Sequence, residues 1–320
     1  MILPEMNNKE RSPLYLFRFL ATVVVVMGLT FAGIAAGAAA KQKGFATPEE
    51  AVKAVITAMR NNNDKELIAV FGPSAKDLIF SGDPVADKQR RELLLRKYDE
   101  KNSLVPEKGA MVIVIGKDDW PFPIPLVKKE NAWFFDTDKG REEILNRRIG
   151  DNELNTIQTL LAVVDAEREY AIKDLDGDGV PEYAQKLMSD PGKKNGLYWK
   201  TKEGEDPSPL GEFVADARAK GYTRNESKQK PIPYHGYYYR MLKAQGKNAA
   251  GGAYDYVVKG KMIGGFAVIA SPAKYGNSGV MTFLVNHDGV VYQKDLGKNT
   301  EKAAKSIKKF DPDSTWKKVE

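Results

Sequence analysis

In the run "NELNTIQTLLAVVDAEREYA", apolar residues fall at Leu154, Ile157, Leu160, Leu161, Val164 and Ala171. Steps of three and four put them on one helical face, so the spacing predicts a long amphipathic helix over 151–172. A stripe of roughly 33 Å, at about 1.5 Å per residue, needs an apolar layer to lie on. The chain beyond it first turns polar and glycine-rich, from Asp174 to Ser208, with a short helix expected near Glu182–Met188. "GEFVADARAKG" reads as another short helix. Tyrosine-rich and β-branched runs follow: "YHGYYYRMLKAQG", "YDYVVKGKMIGGFAVIASP", "GVMTFLV" and "VVYQKDL". They predict antiparallel strands, and Gly289 in "NHDG" suits the turn joining the last two. Thr300 is expected to cap a final basic helix, "EKAAKSIKKF".

The part before residue 150 has a different rhythm. Thr47, Pro48 and Glu50 outline a capping box ahead of "EEAVKAVITAMR", whose Val52, Val55, Ile56 and Met59 share a face. Helices are also expected at "DKELIAVFG" and "PVADKQRRELLLRKYDE". "GAMVIVIG" then reads as a strand, and "FPIPLVKKENAWFFDTD" as a hairpin turning over the polar Lys128 to Asn131. "DKGREEILNRRIG" reads as a connecting helix closed by Gly150.

At the N-terminus, Lys9, Arg11 and Arg18 precede the uncharged run Phe19 to Ala40, which ends on three alanines. That order of basic, apolar and small residues predicts a secretory signal cut before Lys41, or else an uncleaved membrane anchor. Either way the bulk of the chain is expected outside the cytoplasm, in the periplasm or beyond. The expected organisation is therefore 1–40 signal or anchor, 41–148 an N-terminal α+β domain, and 149–320 a helix-plus-sheet domain.

Composition narrows the chemistry. Cysteine is absent, which excludes disulfides, thiolate metal sites and a cysteine nucleophile. With two histidines, His235 and His287, a histidine-rich zinc site is not expected. The net charge of +6 comes from 49 basic and 43 acidic residues interspersed along the chain. That pattern predicts a mixed surface rather than a nucleic-acid face. No phosphate-loop spacing is present, and export removes the protein from the cytoplasmic nucleotide pool.

Several stretches carry resemblances. Three helices followed by a meander, over about 46–148, resemble the cone-shaped nuclear-transport-factor-2-like (cystatin-like) fold. "DDWPFPIPLVKK", "DLDGDGVPEYAQK", "GLYWK", "GYYYRMLKAQGKNAAGGAYDYVVKGKMIGGFAVIASPAKYGNSGVMTF" and "HDGVVYQKDLG" resemble a bacterial exported family catalogued as domain of unknown function 2950. That resemblance implies export and a two-part organisation, and brings no catalytic residues. The helix at 151–172 with the sheet after it is similar to the globular part of type IV pilins and pseudopilins. Here about a hundred residues separate that helix from the apolar N-terminal segment, so the resemblance implies a pilin-like fold without the fibre-forming stem.

The most motif-like candidate site is "DLDGDGVPEY". Asp174, Asp176 and Asp178 take the first three ligand positions of a calcium loop, Gly179 its sharp turn and Glu182 its ninth position. The twelfth position is Gln185, which lacks the bidentate carboxylate, so the expectation is a weak structural calcium site or a solvated aspartate turn. His287 reads as an exposed turn residue and His235 as a packed residue at a strand entry. Asp118 and Asp119 are the carboxylates a glycoside or peptide hydrolase would use, with Glu182, and equally suit a turn. Tyr237, Tyr238, Tyr239, Tyr254 and Tyr256 would offer an aromatic face only in part, since alternate strand residues point to the core. The expected chain is thus α+β, exported and non-enzymatic, with no catalytic residues and no cofactor beyond that calcium. It would bind or scaffold an unidentified envelope protein or polymer, touch the membrane only through an uncleaved N-terminal segment, and not bind nucleic acid.

Overall fold

A computed structural model describes residues 41–222 and 232–319; the expected signal segment lies outside them. The class is α+β, and the described residues form one compact unit. The first helix, α1 (Pro48–Arg60), starts as its sequence requires: the Thr47 hydroxyl accepts the Glu50 N–H at 3.2 Å, and Glu50 reaches back to the Ala46 N–H. Such a cap contributes about 1 kcal/mol. Helices α2 (Asp64–Phe71), α3 (Lys76–Ile79) and α4 (Pro84–Glu100) follow, with a single 3-10 turn at Pro73–Ala75.

A small antiparallel sheet comes next, built from β1 (Asn102–Glu107), β2 (Ala110–Ile115), β3 (Trp120–Pro121), β4 (Leu126–Lys129) and β5 (Ala132–Phe135). Its order is β1-β2-β4-β5, with β3 paired to β2. The hairpin at β4 and β5 turns through Glu130, which takes a positive φ of 53°. One core gathers Val52, Val55, Ile56, Leu67, Phe71, Ile115, Leu126 and Phe135 between helices and sheet.

A single helix, α5 (Thr137–Ile172), connects this part to the rest. Two helices separated at Gly150 were expected, and the helix runs straight through that glycine. Glycine inside a helix costs only about 1 kcal/mol relative to alanine. Here the anchored neighbours Arg148, Asn152 and Glu153 hold the backbone in place. The N-terminal half of α5 packs Ile144 and Leu145 on the first core. Its C-terminal half gives Leu160, Val163, Val164 and Tyr170 to a second core.

No helix forms near 182–188: Tyr183 pairs with Met262 and Met188 with Tyr198 in isolated bridges. Pro181 and the pull of those backbone partners replace the local helical preference. Helix α6 (Gly211–Ala219) forms where expected. Beyond it come β6 (Tyr237–Leu242), β7 (Ala244–Gln245), β8 (Tyr254–Asp255), β9 (Val257–Val258), β10 (Lys261–Met262), β11 (Ala267–Pro272), β12 (Met281–Asn286), β13 (Tyr292–Asp295), helix α7 (Thr300–Ser306) and β14 (Lys317–Lys318). Asn299, not Thr300, occupies the cap position of α7; the Thr300 hydroxyl donates to the Gly297 carbonyl instead.

The second sheet has the antiparallel order β14-β13-β12-β11-β6. Residues Ala267 to Ala270 of β11 are all buried, which requires cover on both faces. Helix α5 lies against β11 and β12, and α7 packs on β11.

Candidate functional site

The sequence candidates scatter. Asp118 pairs with Lys97 at 2.9 Å and Asp119 with Lys101 at 2.7 Å, all on the surface. The hydrogen bond from Lys97 holds the Asp118 carboxyl below its usual range. Each aspartate therefore has its own cation, and both side chains are 60% exposed.

The aspartate loop is compact. Asp174, Asp176 and Asp178 bring three carboxylate oxygens within 4.8 Å of one another. Asp174 is committed to the loop's own backbone, accepting the N–H groups of Gly177, Asp178 and Gly179. Those bonds, led by Gly179, lower its pKa. The Lys261 ammonium lies 2.7 Å from Asp176 and 2.5 Å from Asp178, with Glu182 3.8 Å away. These bonds raise the lysine's pKa. A calcium ion would have to displace that internal cation. The expected result is a melting temperature insensitive to millimolar calcium in the native chain, and a Lys261→Ala variant whose melting temperature calcium raises. A calcium response of equal size in both would contradict the competition.

His287 is packed rather than exposed: its ring stands edge-on to Tyr256 and Phe266, with centroids 5.8 and 6.3 Å away. The side chain is 27% exposed, because the turn folds the imidazole back over Gly265. His235 sits at the strand entry against Tyr222 and Tyr234, and burial lowers its pKa. Tyr237 is fully buried and its strand neighbour Tyr238 is 38% exposed, as alternation requires; Tyr256, between β8 and β9, is fully buried while Tyr254 is 38% exposed.

What the sequence did not suggest is a cavity of about 390 Å³ in the N-terminal part. That size falls in the range of small-molecule sites, about 300–1,000 Å³. Leu67, Phe71, Ile115, Trp120, Phe122 and Ile124 supply hydrocarbon and aromatic wall, and α4 closes one side with Leu93 and Leu94. Leu93 is 48% exposed and marks the solvent edge. Arg147, also in the lining, lies over the Trp120 ring at 5.2 Å.

The opposite end abuts a buried polar seam. Arg148 is 5% exposed and donates to the carbonyls of Asp77 and Leu78 and, at 2.6 Å, to Asn277. Burial, then repulsion from Arg90, lowers its pKa to about 10. Arg90 donates to Asn152 at 2.9 Å, and Asn152 donates to the Ser278 carbonyl. Arg90 Nη1 and Arg148 Nε have no acceptor among the described residues. Asp87 is the one buried carboxyl in the lining; it accepts the Ser81 N–H, and burial raises its pKa.

The seam also fixes where this end sits. Asp83 is fully buried at the start of α4, where its carboxyl accepts the N–H groups of Val85, Ala86 and Gly236 and the Tyr222 hydroxyl. Glu153 accepts from the backbone of Val280 and Met281. Loops of the second sheet thereby position the helices that line the cavity. The signal for this site was faint, because in "ADKQRRELLLRKYDE" polar residues occupy all sides of α4.

No described helix is long and apolar enough to cross a membrane. The model of one protein family, described as "Protein of unknown function (DUF2950)", matches residues 42–319. No curated protein and no solved structure matches the chain.

Proposed function

Because the chain belongs to the DUF2950 family, whose description assigns no activity, we propose a role from the cavity: an exported, non-enzymatic binding protein of the cell envelope that holds a small apolar molecule. The observation that carries this reading is an unfilled space of about 390 Å³ walled by apolar side chains. A half-open recess of this size lined by Leu, Ile, Phe and Trp suits an apolar guest. The basic and apolar N-terminal residues support export, and the C-terminal half of α5 on an antiparallel sheet supports a pilin-like scaffold.

The rival, an envelope hydrolase, needs two converging carboxyls. Asp118, Asp119 and Glu182 are instead each close to a lysine on the surface or in the aspartate loop. A neutral fluorophore, N-phenyl-1-naphthylamine, tests the binding reading: saturable enhancement by the purified protein is expected. Absence of saturation, together with turnover of glycan or peptide substrates, would overturn it.

A further inference from the structure

We propose that the cavity takes an anionic amphiphile of the fatty-carboxylate kind, with its chain among the apolar walls and its head group beside Arg90. This rests on the binding reading above and adds the chemical class of the guest. Five cationic side chains line the cavity, Arg90, Arg91, Lys97, Arg147 and Arg148, against the acidic Asp87 and Asp151. Three of the five have partners outside it: Asp64 for Arg91, Asp118 for Lys97 and Glu143 for Arg147. The remaining two, Arg90 and Arg148, share the one buried carboxyl of the lining, Asp87.

The two differ in freedom. Arg148 is fixed by three hydrogen bonds, so it acts as a stationary positive charge. Arg90 is 35% exposed along its side chain and held by the one bond to Asn152. Its Nη1 is buried without an acceptor, the Asp87 carboxyl oxygen being 3.8 Å away, beyond hydrogen-bond reach. Burial favours the neutral form of Asp87, which weakens it as a competing anion. A guanidinium beside a hydrocarbon wall distinguishes a carboxylate from an alcohol of equal length, because only the carboxylate brings an opposite full charge to the hydrogen bond. At about 30 Å³ per water-sized group, the space holds roughly a dozen methylenes.

Dodecanoate is thus the matched probe and 1-dodecanol its neutral counterpart. Calorimetric titration of the purified protein should give dodecanoate an affinity about tenfold above that of dodecanol. Arg90→Gln should bring the ratio close to one, and Arg90→Lys should recover part of it. A thermal melt of each variant shows that it is folded, and the wild-type ratio needs no variant at all. Equal affinities in the wild type, or a preference that survives Arg90→Gln, would overturn the carboxylate assignment and leave the apolar cavity standing. Failure of both probes to bind would overturn the cavity reading itself.

Discussion

Replacing Asp83 with alanine is expected to cost about 3–5 kcal/mol of folding stability, measured by urea unfolding. The carboxyl is fully buried and accepts four hydrogen bonds, two from the first turn of α4 and two from Tyr222 and Gly236. Loss of the cap alone costs about 1 kcal/mol. The stranded Tyr222 hydroxyl and Gly236 N–H each add about 1–3 kcal/mol of unsatisfied burial, less what entering water recovers. Asp83→Asn should be nearly as damaging, since its amide would direct N–H groups at donors. Tyr222→Phe removes one partner, and about 1 kcal/mol is expected. A loss below 1 kcal/mol for Asp83→Ala would mean that the seam does not hold α4 in place.

The second large effect depends on pH. Glu167 is fully buried in the second core, where its one hydrogen bond comes from the Ala184 N–H at 2.8 Å. Burial raises its pKa well above 4.5, opposed only by that bond. The folded state therefore holds the proton more tightly than the unfolded state. Below about pH 4.5 both forms are protonated and this group's contribution is fully present. As pH rises toward the folded pKa, the unfolded chain releases its proton first, and stability falls by up to about 1.4 kcal/mol per pH unit. Above the folded pKa the loss levels off. Glu167→Gln cannot titrate, so the variant should gain on the wild type as pH rises above about 4.5. His235, with its lowered pKa, acts in the opposite direction over part of this window, and comparing variant with wild type cancels it. Parallel stability profiles would show that Glu167 does not carry the buried proton.

Much of the architecture was legible because it is local. The Thr47 cap, the apolar face of α1, the full extent of α4 and the hairpin across Glu130 all follow from residues within a few positions of one another. The failures are non-local. Gly150 looked like a stop because the residues that anchor its neighbours Arg148 and Asn152, Asn277 and Ser278, lie more than a hundred residues away. The internal cation of the aspartate loop was equally hidden, because Lys261 stands 85 residues beyond Asp176; whether the loop also takes calcium is what the melting experiment decides. The cavity was the least legible feature, since it is defined by atoms that are missing between α4, α5 and the first sheet. Arginine stems furnish part of its wall, and a hydropathy pattern scores an arginine by its head alone.

The account turns on whether that space receives a guest. The most direct measurement is a titration of N-phenyl-1-naphthylamine into the wild type and into Leu94→Trp, which places an indole where a half-buried leucine lines the cavity. A single saturable site in the wild type, weakened at least about tenfold in a variant that melts no lower, is the predicted result, because filling a void removes the guest's room without straining the core. Unaltered binding in Leu94→Trp, or no binding in the wild type, would contradict it.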